Sequence, residues 1–395
     1  MFLQEFPPMG VYETLFKFKD ATGLYMGDAG TSPWAQGFPL TTRLPGGPEI
    51  PHNVEFSSVD LKYPAATGQD QLRRAICEYY NHFYGSNITE DNVAVFAGGR
   101  PGIFATLLFL SRDIRVLIEE TEYTPYFDKL KLLQRDHTLV QSNTQNNFRP
   151  GLDDYRKARS LKNDRTFLIR SNPCNPTGVT FEGGALRDFV EFASASGHGG
   201  LIDEAYEFFS ENGPVSAMKY IKNIDATDLF VVGAATKGLQ VPGMRTGWVI
   251  ASKKHIEIFR NFSSIAMGGV ARPSQIYVAN LLELSRVKQA RDAVVAFYNQ
   301  QRDRYRKALE SLDLQLFTGT GGFYHWAKLP GHLTASEFND RLFEHKAAIL
   351  PGTLCDMNRR GEAGEHAKFI RFSFGPLPAE SFERDIAIIK KCLTR

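Results

Sequence analysis

Between residues 68 and 260, short apolar runs alternate with amphipathic stretches, and this alternation constrains the fold more than any other feature of the sequence. GQDQLRRAICEYYNHFYG reads as a helix, NVAVFAG as a strand and PGIFATLLFLSR as a helix. RVLIEE, TFLIRSN, GGLIDEAY, DLFVVGA and GWVIAS read as further strands. Helices through PYFDKLKLLQ and GGALRDFVEFAS fall among them. Alternation of this kind argues for a mainly parallel sheet covered by helices on both faces. The expected class is therefore α/β, with a three-layer α/β/α large domain.

A long helical stretch, SQIYVANLLELSRVKQARDAVVAFYNQQRDRYRKALESL, then carries the chain away from that sheet. Beyond it, GGFYHWAKL, a helix around ASEFNDRLFEHK, AAILPG and KFIRFSFG suggest a smaller α+β domain. The Pro- and Gly-rich segment PLTTRLPGGPEIPHN looks like a strap rather than a domain. The expected division is a strap over residues 1–48, a large domain over 49–280 and a small domain over 281–395.

Charge excludes little locally but much globally. Forty-six Lys and Arg face 44 Asp and Glu, a net +2, so nothing in the balance favours nucleic acid or a membrane surface. The first residues, MFLQEFPPMGVYE, carry neither the basic nor the apolar region of a signal peptide. No apolar run approaches the ~20 residues of a transmembrane helix, and a cytoplasmic location is expected. Cys77, Cys174, Cys355 and Cys392 form no CxxC pair, and the nine histidines lack metal-ligand spacing, so no metal is expected. GGRPG is not followed by GK[ST], and neither HExxH nor GxSxG occurs.

The chemistry gathers at strand ends. In open α/β sheets, ligands bind outside the carboxyl ends of the strands. Lys237 follows the run at 229–233 and has no carboxylate near it in sequence. Asn172 and Asn175 follow TFLIR, Asp203 ends GGLID, and Gly98, Gly99 and Arg100 follow NVAVF. Each has an ordinary explanation alone: a strand-ending Asp caps a helix, NPTG is turn chemistry, and a lone Lys is solvated. Their convergence on one sheet edge is not explained by packing.

YPAATGQDQLRRAI, SNPCNPTG, DEAY, TKGLQVPGMRTGW and RFSFG, in that order, resemble fold type I pyridoxal-phosphate enzymes, and most closely the class I/II aminotransferases. The resemblance runs from about residue 24 to the C-terminus. It implies that Lys237 is the Schiff-base lysine that holds pyridoxal 5′-phosphate and then moves a proton between the substrate and the cofactor. Asp203 matches the partner of the pyridine nitrogen. Tyr206 and Asn175 match the pair that bonds the phenolic oxygen, and Tyr123 the aromatic that stacks on the ring. Arg245 matches the phosphate-gripping arginine, while Gly99 and Arg100 fall in the backbone cradle. Tyr63 matches a tyrosine reaching the neighbouring subunit's phosphate, which implies a homodimer with shared sites. Arg371 matches the clamp on the substrate α-carboxylate.

Three departures stand out. Ala234 occupies a position where a Ser or Thr is usual, and Arg100 and Pro101 replace small polar residues in the cradle. Arg100 thus either replaces the missing hydroxyl or points into the substrate pocket. The segment RNFSSIAMGGVARPSQ holds no clear counterpart of the second arginine of dicarboxylate-specific members, since Arg272 sits in a different register. Gly30, Trp34 and Tyr12 are candidates to recognise the substrate side chain, with packing the plainer role for the last two. The resemblance implies an aminotransferase acting on an amino acid and a 2-oxoacid. The alternatives are a pyridoxal-phosphate lyase, cyclase or replacement enzyme and, more remotely, a cofactor-binding regulator.

Overall fold

The computed structural model describes residues 2, 10–159 and 165–394. Most of the residues read above for a signal peptide lie outside the described residues. Seven strands form the large sheet: β1 (Val93–Phe96), β2 (Arg115–Glu119), β3 (His137–Val140), β4 (Thr166–Ser171), β5 (His198–Asp203), β6 (Leu229–Ala234) and β7 (Gly247–Ile250). Their order is β1-β7-β6-β5-β4-β2-β3. The run from β6 to β3 is parallel, and β7 is antiparallel to both of its neighbours. The expected mainly parallel sheet is present. The strand β3, from DHTLV, is additional to those read from the sequence.

Helices cover both faces because successive side chains of each strand point to opposite sides. In β6, Leu229 and Val231 enter one core cluster, and Phe230 and Val232 enter the other. Along the chain the helices are α1 (Val11–Thr22), α2 (Asp70–Tyr84), α3 (Gly99–Phe109), α4 (Thr124–Leu132), α5 (Leu152–Ala158), α6 (Gly183–Ala193), α7 (Lys253–Phe262), α8 (Arg272–Leu281), α9 (Leu284–Glu310), α10 (Ala335–Phe343) and α11 (Phe382–Leu393). From α2 and α6, Leu72, Ile76, Phe189 and Val190 cover the first face; from α3 and α7, Ile103, Leu107, Ile256 and Phe259 cover the second. Each such side chain contributes about 1.5–3 kcal/mol when fully buried.

The long helical stretch is two helices. The chain leaves α8 at Leu282, and Glu283 caps α9 by accepting from the amides of Ser285 and Arg286 at 3.0 and 2.9 Å. A carboxylate with two free amides in reach offers the backbone a better start than continuation would.

Four antiparallel strands form the second sheet: β8 (Gln315–Leu316), β9 (Tyr324–Lys328), β10 (Leu350–Pro351) and β11 (Phe369–Ser373), in the order β10-β11-β9-β8. Arg371 lies opposite Trp326 and Ser373 opposite Tyr324. Arg371 and Tyr324 are therefore diagonal neighbours on one face. The strap has no regular structure between residues 39 and 53 except turns. It is held by the Gln240 amide, which donates to the carbonyls of Leu40 and Thr42 at 2.7 and 2.9 Å. Among the described residues, no helix is long and apolar enough to cross a membrane.

Candidate active site

Parallel pairing aligns the strand ends. Ser171, the last residue of β4, lies beside Asp203, the last of β5, and Asp203 lies beside Val232 near the end of β6. Lys237 stands three residues past β6, Asn175 four past β4, and Tyr123 four past β2. Arg245 reaches the same edge because β7 runs the other way, so the residues just before its start face the ends of its neighbours. Gly99 and Arg100 open α3 directly after β1. From the small sheet, β11 supplies Arg371 and β9 supplies Tyr324.

Together these residues line a cavity of about 390 Å³. Its charge is lopsided. Arg100, Arg245, Arg371 and Lys237 border it, and among the described residues Asp203 is the only carboxylate in the lining. The Lys237 amine donates to the Gly37 carbonyl. Burial brings its pKa down to about 7, helped by Arg100, Arg371 and Arg245 and opposed by Asp203. An amine in such a place is uncharged and nucleophilic in a large fraction of molecules at neutral pH, where an ordinary lysine is a cation.

Asp203 accepts from the Tyr126 hydroxyl at 2.7 Å and from the Ala205 amide at 3.0 Å. Burial raises its pKa, and these bonds work against that rise. Arg371 donates to the Asn175 side-chain oxygen at 2.8 Å and the Ala35 carbonyl at 2.6 Å, with its guanidinium 4.3 Å from the Tyr324 ring centre. Its Nε is buried without a partner among the described residues. Arg245 donates to the carbonyls of Pro242 and Ala97 at 2.9 and 3.3 Å. Its guanidinium passes against Gly98, which has φ +93° and where any side chain would collide with it. Arg100 donates through Nε to the Tyr123 hydroxyl at 2.7 Å. Its guanidinium thus stays at the mouth of the cavity beside the aromatic residue.

A site whose residues arrive from the ends of six strands of one sheet and from a second sheet is a property of the whole chain. The family model for class I and II aminotransferases matches residues 52–384. This chain belongs to the class I and II aminotransferase family. It is 26% identical over 317 residues to an aspartate aminotransferase of Pyrococcus horikoshii, covering 79% of this chain and 78% of that one. It is 26% identical to an LL-diaminopimelate aminotransferase of Dehalococcoides mccartyi, covering 82% of each. Among solved structures, substrate-bound BacF from Bacillus subtilis matches with a TM-score of 0.83 at 20% identity, over 100% of this chain and 98% of that one. An aspartate aminotransferase of Thermus thermophilus with maleate matches at 0.74 and 21% identity, over 84% of each.

In this aminotransferase-family chain, nine residues singled out from the sequence line the one cavity: Gly99, Arg100, Tyr123, Asn175, Asp203, Tyr206, Lys237, Arg245 and Arg371. Tyr12 joins them from α1. Tyr63 and Gly30 are not in the lining; Tyr63 is 93% exposed and Gly30 lies in an exposed turn. Trp34 is fully buried against Phe372, a packing role. Arg272 pairs with Asp60 at 3.2 Å and does not enter the cavity. Asn172 bonds the backbone of Phe181 at both its amide and its oxygen, which holds the loop after β4.

Four contributors escaped the sequence reading. Tyr126, on the first turns of α4, reaches Asp203, and Tyr324 reaches Tyr206. Gly37 supplies the carbonyl to Lys237. Glu122, wholly buried, accepts from the amides of Tyr123 and Ser171 at 2.8 and 3.0 Å and from the Ser171 hydroxyl at 2.5 Å. It thereby ties together the two loops that carry Tyr123 and Asn175. The fully polar ETEY run before a helix is the one signal that could have marked it.

Proposed function

We propose that this chain is a pyridoxal-phosphate-dependent aminotransferase that moves an α-amino group from an amino acid to a 2-oxoacid. The observation that carries the proposal is the buried Lys237 amine, lowered to about pH 7, set between guanidinium groups and the Asp203 carboxylate. The lining also fits the cofactor as a donor set. Side-chain-free Gly98 leaves room for the Arg245 guanidinium, the α3 N-terminus offers unpaired amides to an anion, and Arg371 keeps a buried Nε without a partner.

In this reading Arg245 and the amides of Gly99 and Arg100 hold the phosphate. Asp203 holds the ring nitrogen, Tyr206 and Asn175 face the phenolic oxygen, and Tyr123 covers the ring. When bound, the cofactor supplies an electron sink for the charge that develops at Cα. Arg371 binds the substrate α-carboxylate and so orients the Cα–H bond. Lys237, in the uncharged form that burial and its cationic neighbours favour, would take that proton from Cα and deliver it to the cofactor's C4′. Tyr126 keeps Asp203 aimed by the bond at 2.7 Å.

The reading extends to a cytoplasmic homodimer, with residues 49–280 as the cofactor domain and 281–395 as the small domain. Tyr63 at 93% exposure, Leu61 at 73% and Ile265 at 83% are apolar groups left on the surface, as a subunit interface would leave them. Tyr63 would then complete the phosphate site of the other subunit.

The test is the visible spectrum of the cofactor-loaded protein titrated with amino acids, with products identified by mass spectrometry. Loss of the yellow form with release of one equivalent of 2-oxoacid is expected. Turnover to a modified amino acid without any oxoacid would move the function to elimination, replacement or cyclisation. Ala234 and Arg100 in the cradle are the residues that favour that second reading.

A further inference from the structure

Tyr324 was not among the residues that the motifs mark, yet it lines the cavity and joins Tyr206 to Arg371. Its hydroxyl bonds the Tyr206 hydroxyl, 118 residues away in the chain. Its ring lies under the Arg371 guanidinium at 4.3 Å from centre to Cζ. Both tyrosines are buried in the cavity wall. Gly37 faces the pair, and a methyl group there would collide with the Tyr324 hydroxyl. The strap has therefore left space for this hydroxyl where any other residue would fill it.

We propose that Tyr324 is a positioning residue with two separable tasks: its hydroxyl donates to Tyr206, leaving the Tyr206 proton free for the cavity, and its ring face seats the carboxylate-binding guanidinium of Arg371. This inference rests on the cofactor reading above. The first task follows from donor counting. A phenol has one proton to give; if Tyr206 spent its own on Tyr324, it would have none for an oxygen placed in the cavity. With Tyr324 as the donor, the chain of two hydroxyls is polarised toward the cavity and the outer donor is strengthened. The second task follows from the ring's quadrupole, which attracts a desolvated guanidinium on its face. Because Arg371 spends two of its donors on Asn175 and Ala35, the ring completes its support on a side where no hydrogen bond is made.

Two substitutions separate the tasks. Tyr324→Phe removes the hydroxyl and keeps the ring; Tyr324→Leu removes both. Two readouts are taken. One is the pH midpoint of the visible band of the protein loaded with pyridoxal phosphate. The other is the dissociation constant of 3-phenylpropionate, an inert monocarboxylate, measured by calorimetry on cofactor-free protein.

Tyr324→Phe should raise the pH midpoint, since a weaker Tyr206 donor stabilises the deprotonated form less. It should leave the carboxylate constant within about twofold, as the ring is kept. Tyr324→Leu should raise the midpoint similarly and weaken carboxylate binding by about fivefold. In a Tyr206→Phe background, Tyr324→Phe should shift the midpoint no further, because the two act through one bond. An unchanged or lowered midpoint in Tyr324→Phe, with a normal wild-type titration, would overturn the first task. Equal carboxylate binding by wild type and Tyr324→Leu would overturn the second. A wild-type protein that takes up no pyridoxal phosphate would instead overturn the cofactor reading itself, so the two failures are told apart.

Discussion

The two ends of the large sheet carry cavities of similar size, about 390 Å³ at the carboxyl end and about 350 Å³ at the amino end. They differ in what their polar groups are doing. At the amino end His198 bonds Thr166, His255 bonds Asp228 at 3.1 Å, and Arg165 pairs with Asp113 at 2.9 Å. At the carboxyl end three guanidinium groups and the Lys237 amine meet, among the described residues, one carboxylate, an arginine nitrogen is buried without a partner there, and the lysine's pKa falls to about 7. Volume alone does not make a site. Held, unbalanced charge does, because only groups whose partners are missing can trade free energy with a ligand.

The largest expected effect that would break this contrast is at Lys237. Lys237→Ala should lower turnover by about 10⁴-fold or more while the protein still folds and binds cofactor; single-turnover kinetics with activity near normal would remove the site from the carboxyl end. Next is Asp203→Ala, expected to cost about 10²–10³-fold in kcat through loss of charge stabilisation at the ring nitrogen. Arg371→Ala should raise KM by about 10²-fold with a smaller change in kcat, as loss of a charge-assisted carboxylate clamp does. Loss of cofactor with KM unchanged would mean that its role has been misread.

Protonation sharpens the comparison further. Lys237 must be uncharged to attack, so the rate of pyridoxal phosphate attachment to the cofactor-free protein should rise with pH through about 7 and level off above it. Arg100 is the largest charged cause of that low value, after burial. Removing a positive neighbour favours the ammonium form, so Arg100→Gln should move the midpoint to higher pH. A midpoint that stays in place would show that Arg100 does not set it and leave burial, Arg371 and Arg245 as its causes. The smallest effect belongs to the amino end: His255→Ala should leave kcat and KM within about twofold, measured in parallel with the variants above.

The parallel sheet and much of the cavity lining were legible for one reason. In a parallel sheet every strand ends at the same edge, so reading DEAY, SNPCNPTG and the lysine as strand-end residues already brings them together. Tyr126 was not legible, because PYFDKLKLLQ reads as a helix and only the angle of α4 against β5 brings its hydroxyl to Asp203. Tyr324 was hidden for a similar reason. GGFYHWAKL reads correctly as a strand, but which residue of it looks into the cavity depends on how the small sheet packs on the large one. The break after Leu282 was missed because apolar spacing continues across it, whereas the capping bonds of Glu283 are made only once the chain has turned.

The order of elements, the two-faced burial of the strands and the chemical types gathered at one edge follow from the sequence by itself, since periodicity and strand direction are local properties that propagate. The tertiary structure alone decided which of those groups are left without partners. It brought Gly37 to the Lys237 amine, Tyr324 to Tyr206 and Arg371, and Asp60 to Arg272. Pairing and burial depend on distances between elements far apart in the chain, and it is those distances that turn a lysine at a strand end into an amine with a pKa of about 7.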